Sequence, residues 1–165
     1  MNTLKATQIL KQELTCPLIN TYSITQFCKA FGVTRSVFYS KYSCLTDLFS
    51  DAIRYDIRKH FIDYRDYDIS QIIFAFLKHI DQDRLFYANI YHLTIKNNGS
   101  HHICQEIRDA FFIEMRNQLF NSDYSNIYIK GVTSVLYSHV AAWLTHCDDK
   151  NAVDIYNEVR FMLPN

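Results

Sequence analysis

Residues 23–48 read SITQFCKAFGVTRSVFYSKYSCLTDL, and this stretch decides the fold. Ser23 and Gln26 form an S-x-x-Q capping box, which starts a helix at Ile24. Ile24, Phe27, Cys28 and Phe31 then recur at helical spacing and give that helix one apolar face. Gly32 stands where the helix ends, because glycine alone enters the left-handed C-cap conformation without steric cost. Val33 fills the turn. Thr34 supplies a side-chain cap for a second short helix, Arg35 to about Lys41. Two short helices around a glycine turn, the second beginning with polar residues, form a helix-turn-helix, the arrangement that lays its second helix in the DNA major groove.

Beyond this stretch the chain reads as helices throughout. Only 3 Gly and 2 Pro occur in 165 residues, which leaves little material for hairpins or linkers. Leu4, Ile9, Leu10 and Leu14 predict a first helix over 3–14, and Pro17 lies in a connector from Thr15 to Tyr22. Ser43 is positioned to cap a long helix with Leu45, Leu48, Phe49, Ala52 and Ile53 on one side, ending near Asp63. Ile69, Ile72, Ile73, Phe76, Leu77 and Ile80 give the cleanest amphipathic pattern. Asp81 or Asp83 is expected to cap the next helix, with Leu85, Phe86, Ile90 and Leu93 inward. Asn97-Asn98-Gly99-Ser100 marks a loop. Helices from His101 to about Asn121 and from about Ser125 to His146 follow, and Asp148-Asp149 is expected to cap a last one carrying Val153, Ile155, Tyr156, Val159 and Met162.

The motif resembles the DNA-binding domain of the tetracycline-repressor (TetR) family of bacterial regulators. The resemblance rests on Phe27-Cys28, Phe31-Gly32-Val33-Thr34, Phe38-Tyr39, Lys41-Tyr42 and Asp47-Leu48. Its core, GV[ST]xxxFY, joins a turn glycine, a cap and an aromatic pair in fixed register. Gly131 to Trp143-Leu144 is loosely similar to a short subgroup that includes regulators of dihydroxyacetone-kinase genes. The resemblance implies an all-α fold of about nine helices. A helix-turn-helix domain over residues 1–48 would be followed by a helical regulatory and dimerisation domain over residues 49–165. It implies a cytoplasmic homodimeric repressor or activator that binds a palindromic double-stranded operator and answers to a small-molecule effector or a partner protein.

Within that frame Thr34, Arg35, Ser36 and Val37, at the start of the second helix, are the candidates for reaching base edges. Arg35 is the expected base reader, because a guanidinium can bond guanine O6 and N7 together; a phosphate contact is the alternative. Tyr39 and Lys41 match family positions that touch the DNA backbone, and Thr25 stands near the start of the preceding helix, where a phosphate fits. Phe38 and Tyr42 are expected in the core. Tyr87, Tyr91, Phe111, Phe112 and Tyr137 are candidate lining for an effector cavity, although a filled aromatic core is equally consistent with 12 Tyr and 12 Phe. Val132, Val135, Leu136, His139, Val140 and Trp143 form the expected dimer stripe.

Two departures favour a second reading. Leu45 stands where the family usually has lysine, and Val37 where it usually has serine or threonine. A chain of this fold that acts through a protein partner, with DNA binding weakened or lost, fits them.

Charge and motif content narrow the classes. Formal net charge is zero, yet residues 1–60 hold eight Lys/Arg against four Asp/Glu, a basic head on an acidic remainder. The five cysteines (Cys16, Cys28, Cys44, Cys104, Cys147) are scattered without a CxxC pair, as in a reduced cytoplasmic protein with buried thiols. No signal peptide and no membrane-spanning apolar run is evident. No nucleophile elbow, phosphate loop or dinucleotide glycine pattern is present, so no enzyme and no cofactor is expected. His101-His102 with Cys104 and Glu106 is the nearest approach to a metal cluster, and adjacent histidines diverge on a helix.

Overall fold

Nine α-helices and no strand occur among the described residues of the computed structural model, which describes residues 1–17, 19–97, 100–145 and 149–164, without the side chains of 100–102. In order they are α1 (Thr3–Glu13), α2 (Ile24–Phe31), α3 (Arg35–Tyr39), α4 (Leu45–Asp63), α5 (Ile69–Gln82), α6 (Arg84–Lys96), α7 (Ser100–Gln118), α8 (Asn126–Thr145) and α9 (Ala152–Val159), followed by a 3-10 turn at Arg160–Met162. No helix is long and apolar enough to cross a membrane, among the described residues.

Helices α1 to α3 form the head. Ser23 and Gln26 cap α2 reciprocally, and Gly32 closes it at φ +79°. A Cβ at Gly32 would meet no atom within 4 Å, so glycine is required by backbone conformation alone. Thr34 accepts from the Val37 N–H at 3.4 Å and caps α3. Phe27, Phe31, Phe38 and Tyr42 pack ring to ring beneath the motif, with Phe27 and Phe38 fully buried. Phe38 and Tyr42 are therefore core, as expected.

Helix α4 is shared between head and body. It packs on α1 at one end and on α5 and α7 along its length, so the expected boundary at 48/49 falls inside one continuous helix. The expected face of α5 is buried at all six apolar positions, and Asp68 with Gln71 caps that helix reciprocally. Each such side chain contributes about 1.5–3 kcal/mol when fully buried, so α5 is a principal support of the core.

Several local expectations are corrected. Cys44, with no side-chain bond, occupies the N-cap of α4 in place of Ser43; the Asp47 carboxylate instead turns back to accept the Ser43 N–H at 2.9 Å. Asp83 makes no cap bond for α6, because its carboxylate is drawn to the Lys11 ammonium at 2.8 Å; Asp81 accepts from the Ala152 N–H, and Leu85 is exposed. Asn151 caps α9 with Asp154, displacing the expected Asp148-Asp149, of which Asp148 lies outside the described residues. Asn98, Gly99, Cys147 and the side chains of His101 and His102 lie outside them too. Cys28 is buried, Cys104 half-buried, and Cys16 and Cys44 exposed, so the expectation of buried thiols holds only in part.

Candidate nucleic-acid interface

The head presents Thr25, Thr34, Arg35, Ser36, Val37, Tyr39 and Lys41 on its surface, all exposed. With Phe38 buried and about 100° between successive helical residues, Ser36 and Ser40 point away from the body, and Val37 and Tyr39 flank them on opposite sides. The Arg35 guanidinium lies 5.9 Å from the Tyr39 ring centroid and 3.5 Å from its hydroxyl, which holds its pKa above the ordinary value. Arg35 thus stands beside Tyr39 on the exposed side of α3.

Lys41 is engaged differently from what the sequence led one to expect. Its ammonium lies 3.1 Å from Asp51 and donates to Thr3 Oγ1 at 2.8 Å, across the Tyr42 ring. Asp51 also accepts from Tyr42 Oη at 2.6 Å and Thr3 Oγ1 at 2.9 Å. Burial tends to raise the Asp51 pKa, but the bonds from Tyr42, Lys41 and Thr3 prevail and hold it below the usual carboxylate value. One carboxylate of α4 therefore ties together α1 and the end of the recognition motif. Leu45 is half-buried against the core.

A second set of contacts joins the body to the head through α6. Asn89, 2% exposed, donates to the carbonyls of Leu14 and Cys16 at 3.0 and 2.8 Å and accepts from the Ile19 N–H at 2.9 Å. Lys96 donates to the Asn20 carbonyl at 2.8 Å. Tyr87 donates to Asp56 of α4 at 2.8 Å, and Asp56 binds Lys11 of α1 at 2.8 Å. Burial tends to raise the Asp56 carboxyl, yet the bonds from His79, Lys11 and Tyr87 keep it below the ordinary value, while burial and that same carboxylate push Tyr87 well up.

The face of α6 opposite Asn89 lines an apolar cavity. Tyr87 and Tyr91 meet Phe111 of α7 and Tyr137 of α8 there, so four expected lining residues come together. Phe112 does not join them; it lies under the Lys130 ammonium. The cavity measures about 60 Å³, room for about two waters, against the several hundred Å³ of ordinary ligand pockets. Tyr137 also touches the Cys104 thiol.

The expected dimer stripe divides in two. Val132, Leu136 and Trp143 are buried within the protomer, and Trp143 donates its indole N–H to the Lys150 carbonyl at 2.8 Å. They face α6, α7 and α9 because the most apolar stripe of α8 is its inward one. Val135 is exposed, Val140 is half-buried on the cavity, and His139 bonds Glu158 of α9 at 3.0 Å. The sequence did not single out Ile127, 85% exposed, or Phe161, 80% exposed. An isoleucine on the polar side of a helical pattern is the signal that could have found the first.

No cluster of three or more metal-ligating side chains occurs among the described residues. No family model matches the sequence, and no curated protein matches it. Among solved structures, the chain is similar to a TetR-family transcriptional regulator from Streptomyces coelicolor, with a TM-score of 0.62 at 12% identity over 98% of this chain and 80% of that one. The chain has the all-helical fold of TetR-family regulators.

Proposed function

We propose that this chain is a dimeric, DNA-binding transcriptional regulator whose α3 enters the major groove of a palindromic site. The observation that carries the reading is the head itself: a turn fixed by two side-chain caps and a left-handed glycine holds Arg35, Ser36, Val37 and Tyr39 outward on a fully packed aromatic base. The likeness to a transcriptional regulator's fold and the basic first third of the chain support it. Two-fold symmetry suits the exposed face of α8, where Ile127, Gly131, Val135 and Ser138 recur at helical spacing. Effector control fits α6, which carries the cavity wall on one face and the bonds to the α1–α2 connector on the other. A small molecule entering about 60 Å³ must displace a helix, and displacement of α6 loads the head.

The test is fluorescence anisotropy on random duplex at several salt concentrations, then on duplexes selected from a random pool. Binding that weakens steeply with salt is expected, and Arg35→Ala should cost about 1–3 kcal/mol on selected sites only. No binding to any duplex at low salt would overturn the proposal. The rival is a chain of the same fold that acts through a protein partner. Beside the Leu45 and Val37 departures, it is favoured by the withdrawal of Lys41 into the Asp51 cluster, which takes one cation from the head's surface.

A further inference from the structure

Val37 is 41% exposed at the first turn of α3 and is absent from the apolar side chains that pack against the core. Single exposed apolar residues are ordinary on protein surfaces. What distinguishes Val37 is where it stands and how it is held. Its N–H bonds Thr34 Oγ1 at 3.4 Å, and its carbonyl accepts from Ser40 Oγ at 2.8 Å, so hydroxyls fix its backbone on both sides. A β-branched side chain on a helix has one strongly preferred rotamer. The two methyl groups are therefore presented in a nearly fixed position, on the flank of α3 opposite Tyr39. An isopropyl group accepts and donates no hydrogen bond, so against a phosphate it gains nothing. In the major groove one base edge offers it an apolar partner: the C5 methyl of a pyrimidine, carried by thymine among the four standard bases.

We infer that Val37 is a specificity-determining residue that packs on the C5 methyl of a thymine in each half-site. The inference rests on the DNA-binding reading above. It assigns the two flanks of α3 different work: Arg35 with Tyr39 supplies a polar contact, and Val37 supplies a shape contact with no polar component.

The test begins with duplexes selected from a random pool by the full-length protein. A thymine at a fixed position in each half-site is expected. Four versions of the selected duplex are then compared, with thymine, uracil, cytosine or 5-methylcytosine at that position; the last also carries the methyl group. The wild-type protein should prefer thymine over uracil, and 5-methylcytosine over cytosine, by about fourfold per half-site, the ratio expected for burying one methyl-sized group. Val37→Ala should bind the two members of each pair equally and melt close to the wild type, since the side chain stands outside the packed core. Equal losses on uracil for wild type and variant would overturn the inference, because the methyl would then be read elsewhere. Tighter binding of 5-methylcytosine than of thymine would overturn the assignment to thymine. Absence of binding to every duplex at low salt would remove the DNA-binding reading itself, and is distinguishable from both.

Discussion

Lys41 Nζ lies 3.1 Å from Asp51 Oδ2, so the ammonium at the end of the recognition motif is neutralised from within the head. The carboxylate holds the ammonium that the sequence reading assigned to a phosphate. Replacement of Asp51 by Ala therefore has two effects of opposite kind. The Tyr42 and Thr3 hydroxyls lose their acceptor, at a cost of about 1–3 kcal/mol, and Lys41 is released toward solvent. If the head reads DNA, the salt dependence of binding should steepen by about 0.9 in log–log slope while the melting temperature falls. An unchanged slope would mean that residue 41 does not reach a phosphate even when freed.

Asn89 links body and head through three hydrogen bonds. Asn89→Ala strips partners from the Leu14 and Cys16 carbonyls and the Ile19 N–H. A loss of about 2–3 kcal/mol in denaturant unfolding is expected, together with faster proteolysis between residues 15 and 22. Proteolysis at the wild-type rate would show that the connector is held mainly by packing.

Acid should weaken the fold in two stages. Burial holds the His60 imidazole below its ordinary value, with its Nε2 donating to the Ile72 carbonyl at 3.1 Å. The unfolded chain then takes the proton first, so the stability His60 carries is full above about pH 6.5 and declines below it. Asp51 and Asp56, both held below the usual carboxylate value, carry stability that is full above about pH 4 and is lost as the pH falls through their folded values. Melting temperatures followed by circular dichroism across this range should show both stages, and His60→Phe should abolish the upper one alone.

The two sides of α8 should separate in mutagenesis. Trp143→Ala empties a site in the protomer core and should cost about 3–5 kcal/mol, whatever the oligomeric state. Val135→Asp, on the exposed side, should leave melting of the protomer nearly unchanged and dissociate a two-fold dimer in sedimentation. A Val135→Asp protein that remains dimeric would place the interface elsewhere.

The head was legible in the sequence to the level of individual hydrogen bonds because its determinants are local. Ser23 with Gln26, Gly32 and Thr34 each act within four residues, and the φ of +79° at Gly32 is the conformation that its position demands. The α5 face was legible for the same reason. What escaped was set by partners distant in the chain. Asp83 fits a cap by pattern, yet Lys11, 72 residues away, holds its carboxylate. Val132, Leu136 and Trp143 form an apolar stripe that the sequence cannot assign to a core or to a partner, because both surfaces are apolar; only burial separates them. Four of the five aromatic residues grouped for the cavity meet there, with Phe112 outside it, and the volume they leave was not foreseeable, since a cavity is a difference between large packed volumes. Asn89 carried no sequence signal at all: an asparagine in mid-helix resembles any other surface amide until the connector folds over it.

Helix α4 runs unbroken from the head to the body, and its 19 residues span about 28 Å at 1.5 Å each. It acts as a lever. A tilt of about 4° at the body end sweeps the other end through about 2 Å, more than half the 3.4 Å that separates successive base pairs along one strand. A joint between head and body would absorb so small a rotation, whereas a continuous helix delivers it in full. A rotation of that size moves the surface that carries Arg35 and Val37 by a distance comparable to the base-pair rise, and it has to be matched where Asn89 and Lys96 bond the α1–α2 connector.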